Sequence, residues 1–190
     1  MTARRLAGWR VSVFGSSTLA EGTEGWRLAV ATGSALATAG AEVANGGYGG
    51  AMAAVSQGVR QAGGHVTGVT LDGFRDRTPN VHLSERVHTD TLIERLEVLF
   101  RSDAFIVLEG SVGTLTELFL AWNHAVLEHE SPRPIVCLGM TWPGFLAALQ
   151  SLRLVDDAAL LALVQWAKDA EEAVQMLARA KQRKSEVGGK

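Results

Sequence analysis

The sequence has few of the features that mark secreted or membrane-spanning proteins. Its 190 residues include one cysteine, Cys137, so an intrachain disulfide is excluded. No apolar run approaches the ~20 residues that a membrane helix needs, and the first ten residues lack the hydrophobic core of a signal peptide. These absences predict a cytoplasmic protein that does not act at a membrane.

Neither sign of charge is in large excess. A formal net charge of −2 gives no overall attraction to nucleic acid, so no nucleic-acid partner is expected. The five histidines are not spaced as metal ligands, and no metal is expected.

With 47% hydrophobic residues the chain can form one domain with a substantial core. This domain is predicted at 1–181, followed by a polar tail at 182–190.

The chain does contain a regular alternation of strand and helix patterns. Apolar runs predict strands at 9–14, 41–44, 65–71, 86–89, 104–108, 134–138 and 163–167. Helical periodicity predicts helices at 23–39, 51–62, 90–101, from 114 onward, 142–152, 157–161 and 169–181. Residues 72–85 are predicted to form a surface loop near the site or a mobile flap. This order predicts an α/β protein, a single domain with a Rossmann-like, doubly wound parallel sheet.

In the first predicted helix, four residues are candidates for the buried face. They are Trp26, Val30, Ala31 and Leu36. Their apolar character and spacing suggest one side of a helix that packs on the sheet.

The most informative stretch is 102–122, where a strand pattern passes through a glycine-bearing turn into a helix pattern. Gly110 and Gly113 permit a close approach of the backbone to a ligand. The unpaired N–H groups of a helix start, together with the positive end of the helix dipole, favour a negatively charged group. We therefore expect an anion to bind at this turn.

Three loops of small residues follow predicted strands, at 15–18, 45–50 and 109–114. Ligands of open α/β sheets bind at the carboxyl ends of the strands, so these loops are predicted to meet at one site. The first loop lacks the spaced glycines of a dinucleotide fingerprint, and no lysine follows any of the loops as the Walker motif requires. A mononucleotide or a sugar phosphate remains as the expected ligand.

Two segments, NGGYGGAMAAVSQGVRQAGGHVTGV and SDAFIVLEGSVGTLTE, resemble the Lonely-guy family of phosphoribohydrolases, long labelled possible lysine decarboxylases. The resemblance covers about residues 11–136. It rests on the Gly-Gly turn before a Met-containing helix and on the signature Pro-Gly-Gly-x-Gly-Thr-x-x-Glu, which falls on 109–117. It implies a Rossmann-like fold, a homodimer, and hydrolysis of a nucleoside 5′-monophosphate to free base and ribose 5-phosphate.

The resemblance also implies the site residues. Glu117 and Arg95 are the expected catalytic residues. The expected phosphate- and nucleotide-binding residues are Gly15, Ser16, Gly46, Gly47, Gly49, Met52, Gly110, Ser111, Gly113 and Thr114.

Two positions depart from the family signature. Ser111 replaces the second glycine, and its hydroxyl can add a hydrogen-bond donor. Glu109 replaces the leading proline, and a carboxylate repels a phosphate by about 4 kcal/mol at ~4 Å in a medium of effective dielectric ~20. Either the Glu109 side chain turns away, or the ligand is not the usual phosphate.

The roles of Glu117 and Arg95 each have two interpretations. Thr114 and Glu117 match a capping box, which needs no catalytic explanation. Alternatively, the Glu117 carboxylate stabilises positive charge on the ribose or orients water, as in glycosidases. The family's arginine aligns with Glu94, and a shift of one residue to Arg95 turns a helical side chain by about 100°. Arg95 is either a solvated helix residue or a contact to the phosphate or leaving group.

The scarcity of lysine tests the decarboxylase label. A pyridoxal-phosphate decarboxylase needs a Schiff-base lysine in its site, whereas the four lysines here, Lys168, Lys181, Lys184 and Lys190, all follow the loops. No cofactor is therefore predicted. The alternative to a hydrolase is a non-catalytic binder of a nucleotide or phosphate-containing cofactor, similar to molybdenum-cofactor carriers. Phe119 and Trp122 on a broad apolar helix face favour a homodimer.

Overall fold

A computed structural model describes residues 4–71, 78–128 and 131–188. The strands are β1 (Arg10–Phe14), β2 (Glu42–Asn45), β3 (Val66–Leu71), β4 (Glu85–Thr89), β5 (Ala104–Leu108), β6 (Ile135–Leu138) and β7 (Val164–Ala167). The helices of these ranges are α1 (Glu24–Thr38), α2 (Ala51–Gln61), α3 (Leu92–Leu99), α4 (Val112–Leu127), α5 (Thr141–Ser151), α6 (Ala158–Leu161) and α7 (Ala170–Gly188).

The seven strands form one parallel sheet in the order β4-β3-β2-β1-β5-β6-β7. The predicted α/β, doubly wound fold is confirmed. The chain builds outward from β1 to β4 and then returns to place β5 on the other side of β1. The strand order therefore reverses between β1 and β5, where ligands bind in folds of this kind. The loops after β1, β2 and β5 all lie at this edge.

Both faces of the sheet are covered, which explains why β5 is apolar and buried throughout. On one face α1, α2 and α7 pack over residues such as Val11 and Ile106. On the other face α3, α4 and α5 cover an aromatic cluster of Phe14, Phe100 and Phe105, with ring centroids 5.0 to 5.9 Å apart. Within the described ranges, no helix combines the length and the apolarity that crossing a bilayer requires.

The buried face of α1 differs from the predicted one. The buried residues are Ala29, Thr32, Gly33 and Leu36, whereas Ala31 is exposed and Trp26 and Val30 are only partly buried. The helices α1 and α2 approach through glycines: a Cβ on Gly33 would lie 2.1 Å from the Val55 carbonyl oxygen. Likewise, a Cβ on Gly58 would lie 1.9 Å from the Val30 carbonyl oxygen. Backbone proximity, rather than side-chain hydrophobicity, thus orients α1.

Two predicted helix boundaries are also wrong. Helix α4 begins at Val112, with Ser111 at the N-cap position, rather than at Thr114. Helix α7 continues to Gly188, through most of the predicted tail, because this polar stretch is rich in good helix formers. Of the tail, 189–190 lie outside the described residues, as do 72–77 of the predicted loop.

Replacing Gly58 by alanine is expected to lower the free energy of unfolding by about 2 kcal/mol, because the new methyl group forces α1 and α2 apart. Urea denaturation followed by circular dichroism measures this change. Gly144→Ala in α5 is the matched control, since its methyl group would meet open space and alanine favours a helix. Equal stability of Gly58→Ala and the wild type would contradict the close helix contact.

Candidate active site

A cavity of about 220 Å³ lies where the strand order reverses. It is lined by residues of the end of β1, of the loops after β1, β2 and β5, and of α2, α3 and α4. The lining residues are Val13, Phe14, Gly15, Ser17, Gly46, Tyr48, Met52, Arg95, Ser111, Gly113, Thr114 and Glu117. The structure therefore brings the three predicted loops together at one site.

Most of the predicted site residues line this cavity, but four do not. Ser16, Gly47, Gly49 and Gly110 belong to the same loops without lining the cavity. Sequence reasoning missed Val13, Phe14, Ser17 and Tyr48. Phe14 resembles an ordinary core residue of a strand, whereas Tyr48 stands alone among glycines, a pattern that could have marked it.

The start of α4 forms one wall of the cavity. The Leu115 N–H donates to the Ser111 carbonyl at 3.0 Å, which closes the first turn of the helix. The earlier N–H groups of a helix have no acceptor within it and carry the positive end of the dipole, as an anion site requires. A Cβ on Gly110 would lie 2.1 Å from Thr114 Oγ1, so glycine is needed there for Thr114 to approach the loop.

The Glu109 carboxylate turns away from the cavity. Its Oε1 accepts hydrogen bonds from the Thr141 backbone N–H at 2.9 Å and from the Thr141 hydroxyl at 2.7 Å. Thr141 is the first residue of α5, where a negative charge is favourable. Gly139 leaves room for this arrangement, since a Cβ there would lie 2.7 Å from Glu109 Cγ. Glu109 therefore caps α5 and is not one of the residues that line the cavity.

Glu117 is not part of a capping box, because α4 begins five residues before it. The capping box of this region is at α3 instead. The Thr91 hydroxyl accepts from the Glu94 N–H at 3.2 Å, and Glu94 Oε2 accepts from the Thr91 N–H at 3.3 Å. The side chain of Glu94, which aligns with the family's arginine, thus caps the N-terminus of α3. Arg95, the next residue, lines the cavity.

Arg95 and Glu117 form a buried ion pair. The two side chains are 8% and 13% exposed, and Arg95 Nη1 lies 3.6 Å from Glu117 Oε1. Arg95 Nε also donates to the Val69 carbonyl at 2.9 Å, and a Cβ on Gly46 would lie 2.0 Å from Arg95 Nη2. The guanidinium is therefore held between β3 and α4, through a gap that only a glycine at position 46 leaves open. The interpretation of Arg95 as a solvated residue is wrong.

Burial raises the pKa of Glu117 to about 7, although the charge and the hydrogen bonding of Arg95 lower it in part. Both the acid and the carboxylate are therefore populated near neutral pH. Such a group can accept and return a proton at physiological pH. Across the described ranges, no group of three or more histidine, cysteine or acidic side chains is arranged to hold a metal ion.

Fold and site together define a Rossmann-like α/β protein with a helix N-terminus beside a buried arginine–glutamate pair. Residues 9–143 match the model of the SLOG cluster4 family, and the chain belongs to this family, which is the LOG family of the resemblance. Over 130 residues the chain is 42% identical to the cytokinin riboside 5′-monophosphate phosphoribohydrolase of Mycobacterium tuberculosis. That alignment covers 65% of this chain and 68% of the relative.

Solved structures show the same fold. The structural-genomics target TM1055 superposes with a TM-score of 0.69 at 30% identity, covering 90% of this chain and 99% of the target. The molybdenum cofactor carrier protein of Chlamydomonas reinhardtii gives a TM-score of 0.68 at 23% identity, over 91% of this chain and 98% of that protein. The similarity to the carrier protein concerns the fold alone.

The raised pKa of Glu117 predicts how stability depends on pH. The stabilising contribution of the neutral acid is complete below its ordinary pKa of 4.5 and is lost as the pH rises through about 7. Glutamine at this position cannot ionise. Between pH 4.5 and pH 8, the stability of Glu117→Gln relative to wild type should therefore rise by roughly 3 kcal/mol.

Urea denaturation of both proteins across this range measures the difference. A difference that does not change with pH would show that the pKa of Glu117 is not raised.

Proposed function

We propose that the protein hydrolyses the N-glycosidic bond of a nucleoside 5′-monophosphate, releasing the free base and ribose 5-phosphate. The observation that carries this proposal is the buried Arg95–Glu117 pair in the same cavity as the N-terminus of α4. An anion site and a carboxylate of raised pKa are thereby one helix turn apart, as a phosphorylated sugar requires. The name of the Mycobacterium tuberculosis relative supports the same substrate class.

The substrate phosphate binds at the start of α4, against the N–H groups near Gly113 and the Thr114 hydroxyl. This places the ribose beside Glu117. When the bond from C1′ to the base breaks, its electron pair leaves with the base, and the sugar gains positive charge that the Glu117 carboxylate stabilises. Water then attacks C1′, Glu117 accepts one proton from that water, and the proton is returned to the departing base nitrogen, so that the base leaves as a neutral molecule. Arg95 neutralises negative charge on the phosphate or on the departing base.

No observation specifically favours a non-catalytic cofactor binder. That alternative drew on the variant signature, above all on a carboxylate expected beside the phosphate. In the structure the Glu109 carboxylate binds Thr141 instead, so it does not obstruct an anion at Gly113. The alternative predicts tight binding of a phosphate-containing ligand with no release of base.

The proposal is tested by incubating the protein with AMP and other monophosphates and following the free base by chromatography. Glu117→Gln should reduce turnover by about 10³-fold, because it removes the charge that stabilises the transition state. Glu97→Gln is the matched control, since Glu97 is an exposed residue of the neighbouring helix. Adenosine, which lacks the phosphate, should react far more slowly than AMP.

Turnover of AMP that survives in Glu117→Gln would contradict the assigned role. Tight binding of AMP without base release by the wild type would support the non-catalytic alternative.

We further propose a homodimer formed through the outer face of α4. Phe119 is 43% exposed and stacks on Trp122 with ring centroids 6.2 Å apart, and Val112 on the same helix is 77% exposed. Exposed apolar residues on one helix are typical of an interface. Location in the cytoplasm stays a prediction.

Sedimentation velocity should show a dimer for wild type and a monomer for Phe119→Glu, because a charge at the interface opposes association. Leu154→Glu introduces the same charge at an exposed leucine elsewhere and should remain dimeric. A monomeric wild type would refute the dimer.

A further inference from the structure

Asn80 holds the glycine-rich loop after β2 from outside the cavity. The Asn80 backbone N–H donates to the Gly47 carbonyl at 2.9 Å, and its side-chain Nδ2 donates to the Tyr48 carbonyl at 3.0 Å. Asn80 is not among the described residues that line the cavity. The carbonyl groups of two consecutive loop residues, Gly47 and Tyr48, are therefore bonded to a residue that does not line the cavity.

Tyr48, the only tyrosine of the chain, is fixed at its other end as well. Its hydroxyl donates to the Leu71 carbonyl at 3.0 Å and accepts from the Leu71 N–H at 2.8 Å. The residue is 3% exposed and lines the cavity. The ring is thus held between Asn80 at its backbone and the end of β3 at its hydroxyl.

Asn80 belongs to a segment that is itself anchored to the sheet. The Ser84 N–H donates to the Val66 carbonyl at 2.9 Å, and Leu83 packs against Gly68, where a Cβ would lie 2.4 Å from Leu83 Cδ1. Asn80 Oδ1 accepts from the His82 N–H at 3.1 Å. Since Oδ1 is occupied in this way, Nδ2 is the atom that remains for the Tyr48 carbonyl.

We propose that Asn80 is a positioning residue. It fixes Tyr48 as a wall of the cavity, keeps the Gly47 and Tyr48 carbonyls outside the cavity, and thereby positions the ligand. A carbonyl oxygen turned inward would present partial negative charge to an anionic ligand. Glycines on both sides of Tyr48 give the loop little resistance to such a turn. The identification of the ligand as a nucleoside monophosphate rests on the proposed function.

Loss of the Asn80 side chain should therefore weaken ligand binding and leave the chemical step unchanged. Without the Asn80 side chain the loop must be ordered by the ligand, and the ordering cost weakens affinity. Arg95 and Glu117 are held by separate contacts to Val69 and by α4, so bond cleavage in the bound complex is preserved.

Asn80→Asp removes only the hydrogen bond from the Asn80 side chain to the Tyr48 carbonyl. Aspartate keeps the acceptor for His82 and the backbone donor for Gly47, but it replaces the donor to the Tyr48 carbonyl with an acceptor. The KM for AMP should rise about tenfold, the effect of one partly buried hydrogen bond, while kcat stays within about threefold. Asn80→Ala should behave similarly. If Asn80 mattered only through His82, Asn80→Asp would match wild type and Asn80→Ala alone would be impaired.

A second readout does not depend on activity. Because the chain has one tyrosine, ¹³C-tyrosine labelling gives NMR ring signals of Tyr48 alone. In the protein without ligand, Asn80→Asp should shift or broaden these signals, whereas Asn123→Asp on the exposed side of α4 should leave them unchanged. Unchanged Tyr48 signals in Asn80→Asp, together with an AMP affinity within about twofold of wild type, would overturn the proposal.

The two proposals fail in different ways. A wild type that neither binds AMP nor releases base would refute the proposed function. The Tyr48 signals would then still decide whether Asn80 holds this wall of the cavity.

Discussion

The site depends on the removal of the Glu117 carboxylate from water beside the Arg95 guanidinium. Burial of an ion pair costs more than the attraction regains unless further polar contacts compensate. Here the Val69 carbonyl accepts from Arg95 Nε, and Glu117 keeps a pKa near 7 because Arg95 offsets only part of the desolvation. The fold therefore carries the desolvation cost of the buried pair, and the result is a Glu117 carboxyl group that can transfer a proton near neutral pH. Shifted pKa values of this kind are common at functional sites.

Glycines in the surrounding loops leave the space that the buried Arg95–Glu117 pair and its neighbours need. Gly46 leaves the space that Arg95 Nη2 fills, and Gly110 leaves the space for the Thr114 hydroxyl. The role of these glycines at the site is therefore close approach as well as conformational freedom. The fold contributes the location, because the reversal between β1 and β5 gathers the loops of three separate strands at one edge.

The departure at Glu109 shows how a variant signature can leave the start of α4 free of an added negative charge. A proline restricts the backbone before the glycine turn, whereas Glu109 is tied to the neighbouring helix by two hydrogen bonds to Thr141. The same bonds remove its charge from the cavity. Gly139, with a φ of +128°, supplies the room that this arrangement needs.

Much of the fold could be predicted from the sequence, because the buried strands such as β5 and β6 are continuous apolar runs and most of the longer helices show a helical period. The buried face of α1 could not be predicted, because it is set by the contact between Gly33 and the α2 backbone. Such a contact leaves no hydrophobic pattern in the sequence. The placement of Arg95 depended on the local capping box at Thr91, which sets where α3 starts. Asn80 was missed because its contacts join segments that are distant in sequence.

A crystal structure of Glu117→Gln with AMP bound would show directly where the phosphate and the ribose lie. We expect the phosphate at the N-terminus of α4, against Gly113 and Thr114, with the C1′ atom beside residue 117 and Arg95. A phosphate bound at another part of the protein, or a ribose turned away from residue 117, would contradict it.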